Sequence, residues 1–177
     1  MPILVCPLAR VPHVIETRRP NRVVSLLDPS SLFPDAVRHG VTRHLKVGVN
    51  DISEIIAGQT HPIEQHVRDV LTFVEDWDRA DPILVHCYAG ISRSTATAYT
   101  IACALNPSTD EEEIAWTLRE ASPSAWPNRR IIALADAELG RGGRMTNAIE
   151  GIGAGLSWEM HGDAQPFEIP SRYGNPA

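Results

Sequence analysis

Short apolar runs and longer amphipathic stretches alternate along the first 140 positions, the order expected of an α/β domain with a mainly parallel sheet. Four runs read as strands, Ile3 to Val5, Arg22 to Leu27, Arg43 to Val49 and Ile83 to His86. Each is short, rich in Val, Leu or Ile, and closed by turn formers or a change of pattern. Ile83-Leu84-Val85 is apolar without alternation, as expected of a strand buried on both faces. After Pro62, a residue suited to a first helical turn, Ile63, Val67, Val70, Leu71, Val74 and Trp77 recur at helical spacing and predict a helix over one face of the sheet. A second helix is expected from near Ser92 through the Ala- and Thr-rich stretch to Leu105, stopped by Asn106-Pro107. Thr109 with Glu112 forms a capping box for a third, Glu111 to Glu120, and a fourth runs from about Asn128 to Leu139 with Gly140 as its stop.

Beyond that point the pattern weakens. Positions 141–177 hold seven of the 12 glycines and no sustained periodicity, which predicts a C-terminal extension with one irregular turn at most, anchored by Phe167, Ile169 and Tyr173. No internal repeat is visible.

Composition adds limits. A chain of 177 residues that is 43% hydrophobic and 21% charged is large enough for one soluble domain, and its length and patterning exclude collagen-like, mucin-like and membrane-span readings. Sixteen basic against 22 acidic side chains leave a formal charge of −6, so a broad electrostatic grip on nucleic acid or on an anionic membrane is not expected, and any anion must be bound locally. Cys6, Cys87 and Cys103 form neither a C-x-x-C pair nor a disulfide framework, and the N-terminal apolar stretch is too short for a secretory signal, so a cytoplasmic protein is expected. His61 and His66 lie five apart, off one another's helical face, and His39 and His44 lack a partner cluster, so neither metal nor cofactor is expected.

Chemistry concentrates in His86-Cys87-Tyr88-Ala89-Gly90-Ile91-Ser92-Arg93-Ser94, between an expected buried strand and an expected helix. Five residues between a thiol and a guanidinium let a turn close with its N–H groups inward while the helix adds its positive end, making a cup for a tetrahedral oxyanion. The same field favours thiolate over thiol, the form of Cys87 able to attack phosphorus. Arg93 would clamp two equatorial oxygens, Gly90 allows a conformation or close approach that a side chain would obstruct, and Ser94 could hydrogen-bond the sulfur as it leaves. With three cysteines and 15 arginines, a chance C-x5-R is expected roughly 0.25 times per shuffled chain. Requiring the preceding His, the Gly and the following Ser or Thr lowers this to on the order of 1 in 10,000, so the segment outweighs coincidence.

At these residues the sequence resembles the cysteine-based protein tyrosine phosphatase superfamily, whose signature H-C-x-x-G-x-x-R-[ST] is matched at every fixed position. The Ala-Gly-x-Ser-Arg-Ser form is most similar to the compact dual-specificity branch. Weaker similarity continues at Ala98-Tyr99 and at Pro127-Asn128, and the resemblance covers residues 1–140. It implies a single α/β domain with a mainly parallel sheet of four or five strands flanked by helices, the phosphate-binding loop lying between the last parallel strand and a helix. It also implies a covalent phosphocysteine intermediate with no metal requirement, and an Asp on a mobile loop as acid and then base.

Asp51, just past the third strand and 36 positions before Cys87, is the first choice for that acid, with Asp35 and Asp28 in reserve; capping a turn with Asn50 is its ordinary alternative. The loop positions Tyr88, Ala89, Gly90, Ile91 and Ser92, with Arg93, are the expected substrate-binding set. His86 is expected to point away from the pocket and to tune the thiolate through the backbone, or else to serve simply as a core histidine. Asn128 is either an ordinary helix cap or a brace for the phosphate loop. Cys6 is read as a buried structural thiol rather than a redox partner, and Cys103 as core. Because Tyr88, Ala89, Ile91 and Ser92 carry no positive charge, a phosphorylated protein or peptide is preferred to a phosphoinositide, with Arg129 and Arg130 as candidate auxiliary anion contacts. The competing readings are a small-molecule phosphatase for inositol phosphates or nucleotides, and a pseudophosphatase that binds phosphate without turnover. Rhodanese-like sulfur transfer fits the fixed His-Cys and Arg-Ser positions less well.

Overall fold

The computed structural model describes residues 1–157 and 164–174. Strands β1 (Pro2–Pro7), β2 (Arg22–Leu27), β3 (Arg43–Gly48), β4 (Ile83–Cys87) and β5 (Phe167–Pro170) form one sheet in the order β3-β2-β4-β1-β5. The first four, all anticipated from the apolar runs, are parallel to their neighbours, and β5 is antiparallel to β1. β4 lies at the centre with every residue buried, which accounts for its lack of alternation.

Among the described residues six α-helices cover the sheet, α1 (Val11–Arg18), α2 (Glu64–Glu75), α3 (Arg93–Leu105), α4 (Glu111–Ala121), α5 (Arg129–Glu138) and α6 (Arg144–Gly151). The larger core joins Ile3, Val5, Val24, Leu26 and Val85 on one face to buried residues of α2 through α6, among them Val70, Tyr99, Leu118, Ile132 and Met145. On the other face α1 sets Val11, Val14 and Ile15 over Leu4, Cys6, Val23 and Leu84. α1 was not anticipated, because eight residues interrupted by Pro12 and His13 carry too little periodicity to stand out.

Local starts differ from expectation in two places. α2 begins at Glu64 rather than at Pro62, which lies outside the helix with its carbonyl accepting Arg130 Nε at 2.7 Å. α4 is capped by Asp110, whose carboxylate accepts the Glu112 N–H at 2.9 Å, rather than by Thr109. Asp110 directly precedes the first helical residue, and its charge also suits the helix dipole.

The glycine-rich extension contains more structure than its pattern announced, namely α6 and β5. Arg141 ties its start to the domain through Glu111 at 3.0 Å, Cys103 O at 2.9 Å and Pro107 O at 3.1 Å. β5 then pairs Ile169 with Ile3, and Tyr173 N–H donates to Asn106 Oδ1 at 3.1 Å, while Phe167 and Tyr173 pack on the core as expected. No helix among the described residues is long and apolar enough to cross a membrane.

Candidate active site

β4 ends at Cys87 and α3 begins at Arg93, so residues 88–92 turn above the carboxyl ends of parallel strands, where α/β folds place ligands. Several loop carbonyls are occupied. Tyr88 O accepts Leu8 N–H at 3.1 Å, Ile91 O accepts Trp126 N–H at 2.9 Å, and Ser92 O accepts Asn128 N–H at 3.3 Å and Thr95 Oγ1 at 2.9 Å. The N–H of Gly90 donates to Cys87 Sγ at 3.3 Å. Gly90 is required twice over. Its φ is +73°, and a Cβ there would stand 2.7 Å from Pro7 N and 2.9 Å from the Cys6 carbonyl carbon, both backbone atoms at the end of β1.

The Cys87 thiol is buried, with Ser94 Oγ 3.1 Å from its sulfur. Arg93, 5% exposed, is pinned through one terminal nitrogen to Asp28 Oδ1 and to Val49 O, both at 2.7 Å. Its Nε is buried without a hydrogen-bond partner, 3.8 Å from Asp51 Oδ2. Asp51 thus reaches the loop from the segment after β3. Its Oδ1 accepts Ser92 Oγ at 2.7 Å and Asn128 Nδ2 at 2.8 Å. Asn128 has three tasks at once: its Oδ1 accepts the N–H groups of Arg130 and Ile131 at 3.1 Å, its own N–H holds Ser92 O, and its amide holds Asp51. Asp35 lies elsewhere, capping a 3-10 turn and pairing with Arg38.

No family model and no curated protein matches the chain. Solved structures do. The crystal structure of DUSP15 is similar with a TM-score of 0.59 at 16% identity, covering 84% of this chain and 88% of that one. Human DUSP28 gives 0.58 at 20% identity over 77% and 87%, and PTPMT1 in complex with PI(5)P gives 0.57 at 12% identity over 84% and 88%. The fold is that of a compact dual-specificity phosphatase.

Within this dual-specificity fold the structure brings together Cys87, Arg93, Ser94, Asp51 and Asn128, all singled out from sequence, and adds Asp28 as the partner of Arg93. Asp28 had been only a reserve acid; its position at the end of β2, beside β4, was the available signal. Tyr88 is 72% exposed and stands at the rim. Beside the cup, Asp51, Ser53, Ser92, Trp126, Pro127, Asn128 and Arg129 line an open cleft of about 230 Å³, whereas Arg130 is spent on Pro62 O.

His86 is wholly buried and does point away from Cys87, into the α1 face, where Ser25 Oγ lies 2.5 Å from its Nε2. Burial pushes its pKa down to about 4, so the ring is neutral at pH 7. Cys6 lies on that same face beside His86, and burial raises its pKa to about 12; burial likewise raises Cys103 to about 12. Both are inert core thiols. Among the described residues no group of three His, Cys, Asp or Glu side chains is placed to hold a metal.

Proposed function

We propose that the protein is a cysteine-dependent phosphatase that hydrolyses phosphotyrosine on proteins, with phosphoserine and phosphothreonine as further substrates in the dual-specificity manner, and needs no metal. The observation that carries this reading is the single sulfur reached by both the Gly90 N–H at 3.3 Å and Ser94 Oγ at 3.1 Å, at the start of a turn ending in a buried arginine. The Cys87 thiolate attacks phosphorus; a P–S bond forms as the P–O bond to the substrate breaks, and protonated Asp51 gives its proton to the departing oxygen. Water then attacks the phosphocysteine, Asp51 takes its proton, and the P–S bond breaks with the Ser94 hydroxyl donating to the sulfur. Inorganic phosphate leaves and the site is restored. Arg93, oriented from behind by Asp28 and Val49 O, stabilises the charge on the equatorial oxygens.

The rim favours a single phosphate on a protein side chain over a multiply phosphorylated ring. Tyr88, Ala89, Ile91 and Ser92 bring no cation to the cup, while exposed Tyr88 and Trp126 offer aromatic walls for a phosphotyrosine ring. Arg129 remains as the auxiliary contact for an acidic neighbour on the peptide. The proposed catalytic residues all fall within 1–140, and 141–177 is read as support for that unit through α6 and β5. Three free cysteines suit a reducing, cytoplasmic setting.

The test is hydrolysis of p-nitrophenyl phosphate and of a phosphotyrosine peptide with excess EDTA, from pH 5 to 8. Cys87→Ser is expected to abolish turnover while still binding vanadate, and wild-type rates in that variant would end the nucleophile assignment. Asp51→Asn is expected to slow poor leaving groups most; that dependence in Asp35→Asn instead would move the acid.

A further inference from the structure

Between α4 and α5 the chain runs through 122–128 without helix or strand, yet this stretch meets the phosphate loop at two points and the proposed acid at a third. Trp126 N–H holds Ile91 O, Asn128 N–H holds Ser92 O, and the Asn128 amide holds Asp51 Oδ1. A segment with no regular hydrogen-bond ladder takes its position from what packs against it. Against 122–125 lies 153–156, the part of the glycine-rich extension just after α6. Leu156 N–H donates to Pro123 O at 2.9 Å. Arg119, near the end of α4, spans both segments: Nη1 donates to that same Pro123 O at 2.7 Å and Nη2 to Gly153 O at 2.9 Å. Gly155 lies so close that a Cβ on it would stand 2.6 Å from the carbonyl oxygens of Ser124 and Ala125. Those are backbone atoms, so no rotamer change relieves the overlap, and ordinary contact returns only if the segments part by about 0.8 Å. The extension is itself fixed at this point, because Ile152 is buried in the larger core.

We propose that residues 153–156 are a strut that sets the position of 122–128, with Gly155 and Arg119 as positioning residues for Asn128 and, through it, for Asp51. This deepens the phosphatase reading and rests on it. The phosphate loop has supports that do not involve the strut, Gly90 against the end of β1 and Tyr88 O on Leu8 N–H, so Cys87 and Arg93 keep their places when the strut is loosened. Asp51 is more exposed to the change. Its Oδ1 rests on Ser92 Oγ and on the Asn128 amide, and the second of these moves with 122–128. A reacting group misplaced by about 1 Å can lose roughly 100-fold in rate. The parting forced by a Cβ at Gly155 is shared between the two segments, and half of it predicts a loss of about tenfold in the step that needs the acid. The strut thus gives the extension a part in catalysis that its distance in sequence from Cys87 conceals.

Two readouts test this. Gly155→Ala is expected to lower kcat/KM about tenfold on an alkyl phosphate and less than about twofold on p-nitrophenyl phosphate, whose leaving group needs the proton less. Arg119→Met, which keeps the stem and loses the donors, is expected to show the same split at about threefold. Gly151→Ala, at the end of α6 with open space around it, is the control and should leave both rates unmoved. Hydrogen exchange followed by NMR requires no turnover: the Trp126 and Asn128 amides should exchange roughly tenfold faster in Gly155→Ala, while that of Leu8, bound to the opposite end of the phosphate loop, stays as in the wild type. Thermal melts confirm folding, and Arg119→Met carries the test if Gly155→Ala does not fold. Folded variants with unmoved rates, with equal falls on the two phosphates, or with exchange at Trp126 and Asn128 that is unchanged or rises only together with Leu8 would each overturn the proposal. If no phosphoester is hydrolysed while the exchange changes as expected, the phosphatase reading falls and the strut stands.

Discussion

Asn128 joins a helix cap to Asp51, the proposed acid, and substitution can take the two apart. Its side chain accepts two N–H groups at the start of α5 and donates to Asp51 Oδ1 at 2.8 Å. Asn128→Ala removes both functions, while Asn128→Ser restores a capping oxygen on a stem too short to reach Asp51. Loss of the cap is worth about 1 kcal/mol. In a chain of 177 residues that lowers Tm by roughly 2–4 °C. For activity, Asp51 Oδ1 has two donors, and removing one leaves Ser92 Oγ at 2.7 Å as its remaining hold. A charge-assisted hydrogen bond is worth about 1.5–3 kcal/mol. Because Asp51 is one-third exposed, water replaces part of what is lost. A fall of about tenfold in kcat/KM, about 1.4 kcal/mol, follows for esters with poor leaving groups, with a smaller fall for p-nitrophenyl phosphate, which needs the proton less. The assay pairs thermal melts with kcat/KM on an alkyl and an aryl phosphate for both variants. Ala is expected to lose stability and rate, and Ser rate alone. If Ser restores the rate as well as the melting temperature, Asn128 is a cap and nothing more, and the reasoning fails.

Two further outcomes follow from the geometry. Gly40, at φ +88° with open space around it, serves as control for Gly90: Gly40→Ala bears only the cost of a left-handed backbone, about 1–2 kcal/mol, whereas Gly90→Ala adds a collision with β1 backbone and distorts the cup. Gly90→Ala should melt several degrees below Gly40→Ala with most phosphatase activity gone, and equal melting with full activity would contradict the structure. Asp76 accepts hydrogen bonds from Arg22 at 2.8 Å and Arg43 at 2.6 Å, which hold its carboxyl down at about 2 against an ordinary 3.8. The unfolded chain therefore takes up that proton first, and the stabilisation is full above about pH 4 and lost as pH falls through about 2. Asp76→Asn should melt below the wild type at pH 7, with the gap closing towards pH 2; a gap that persists unchanged would mean the ion pairs are not its source.

The cup was legible because it is local: Cys87 to Ser94 are contiguous, and a strand, a turn and a helix start are all coded within nine residues. Asp51 was chosen by its place after a strand, a weaker signal with two other aspartates in reserve; the structure pairs Asp35 with Arg38 and Asp28 with Arg93. α1 and β5 went unseen for the same physical reason. Each is short and owes its form to partners far along the chain, α1 to β1 and β2, and β5 to β1, rather than to its own periodicity.

What the sequence determined by itself was the order of the first four strands and of α2 through α5, the central buried strand and the thiol-to-guanidinium turn, because these depend on side-chain periodicity and on neighbours a few positions apart. Tertiary structure alone decided that Asn128 reaches across 77 positions to Asp51, that Asp28 holds Arg93 across 65, and that Ser25 joins His44 to His86. Those pairings follow from strand order and register, which bring the ends of β2, β3 and β4 to one place. Strand order is set by how the whole core packs, and no local pattern records it.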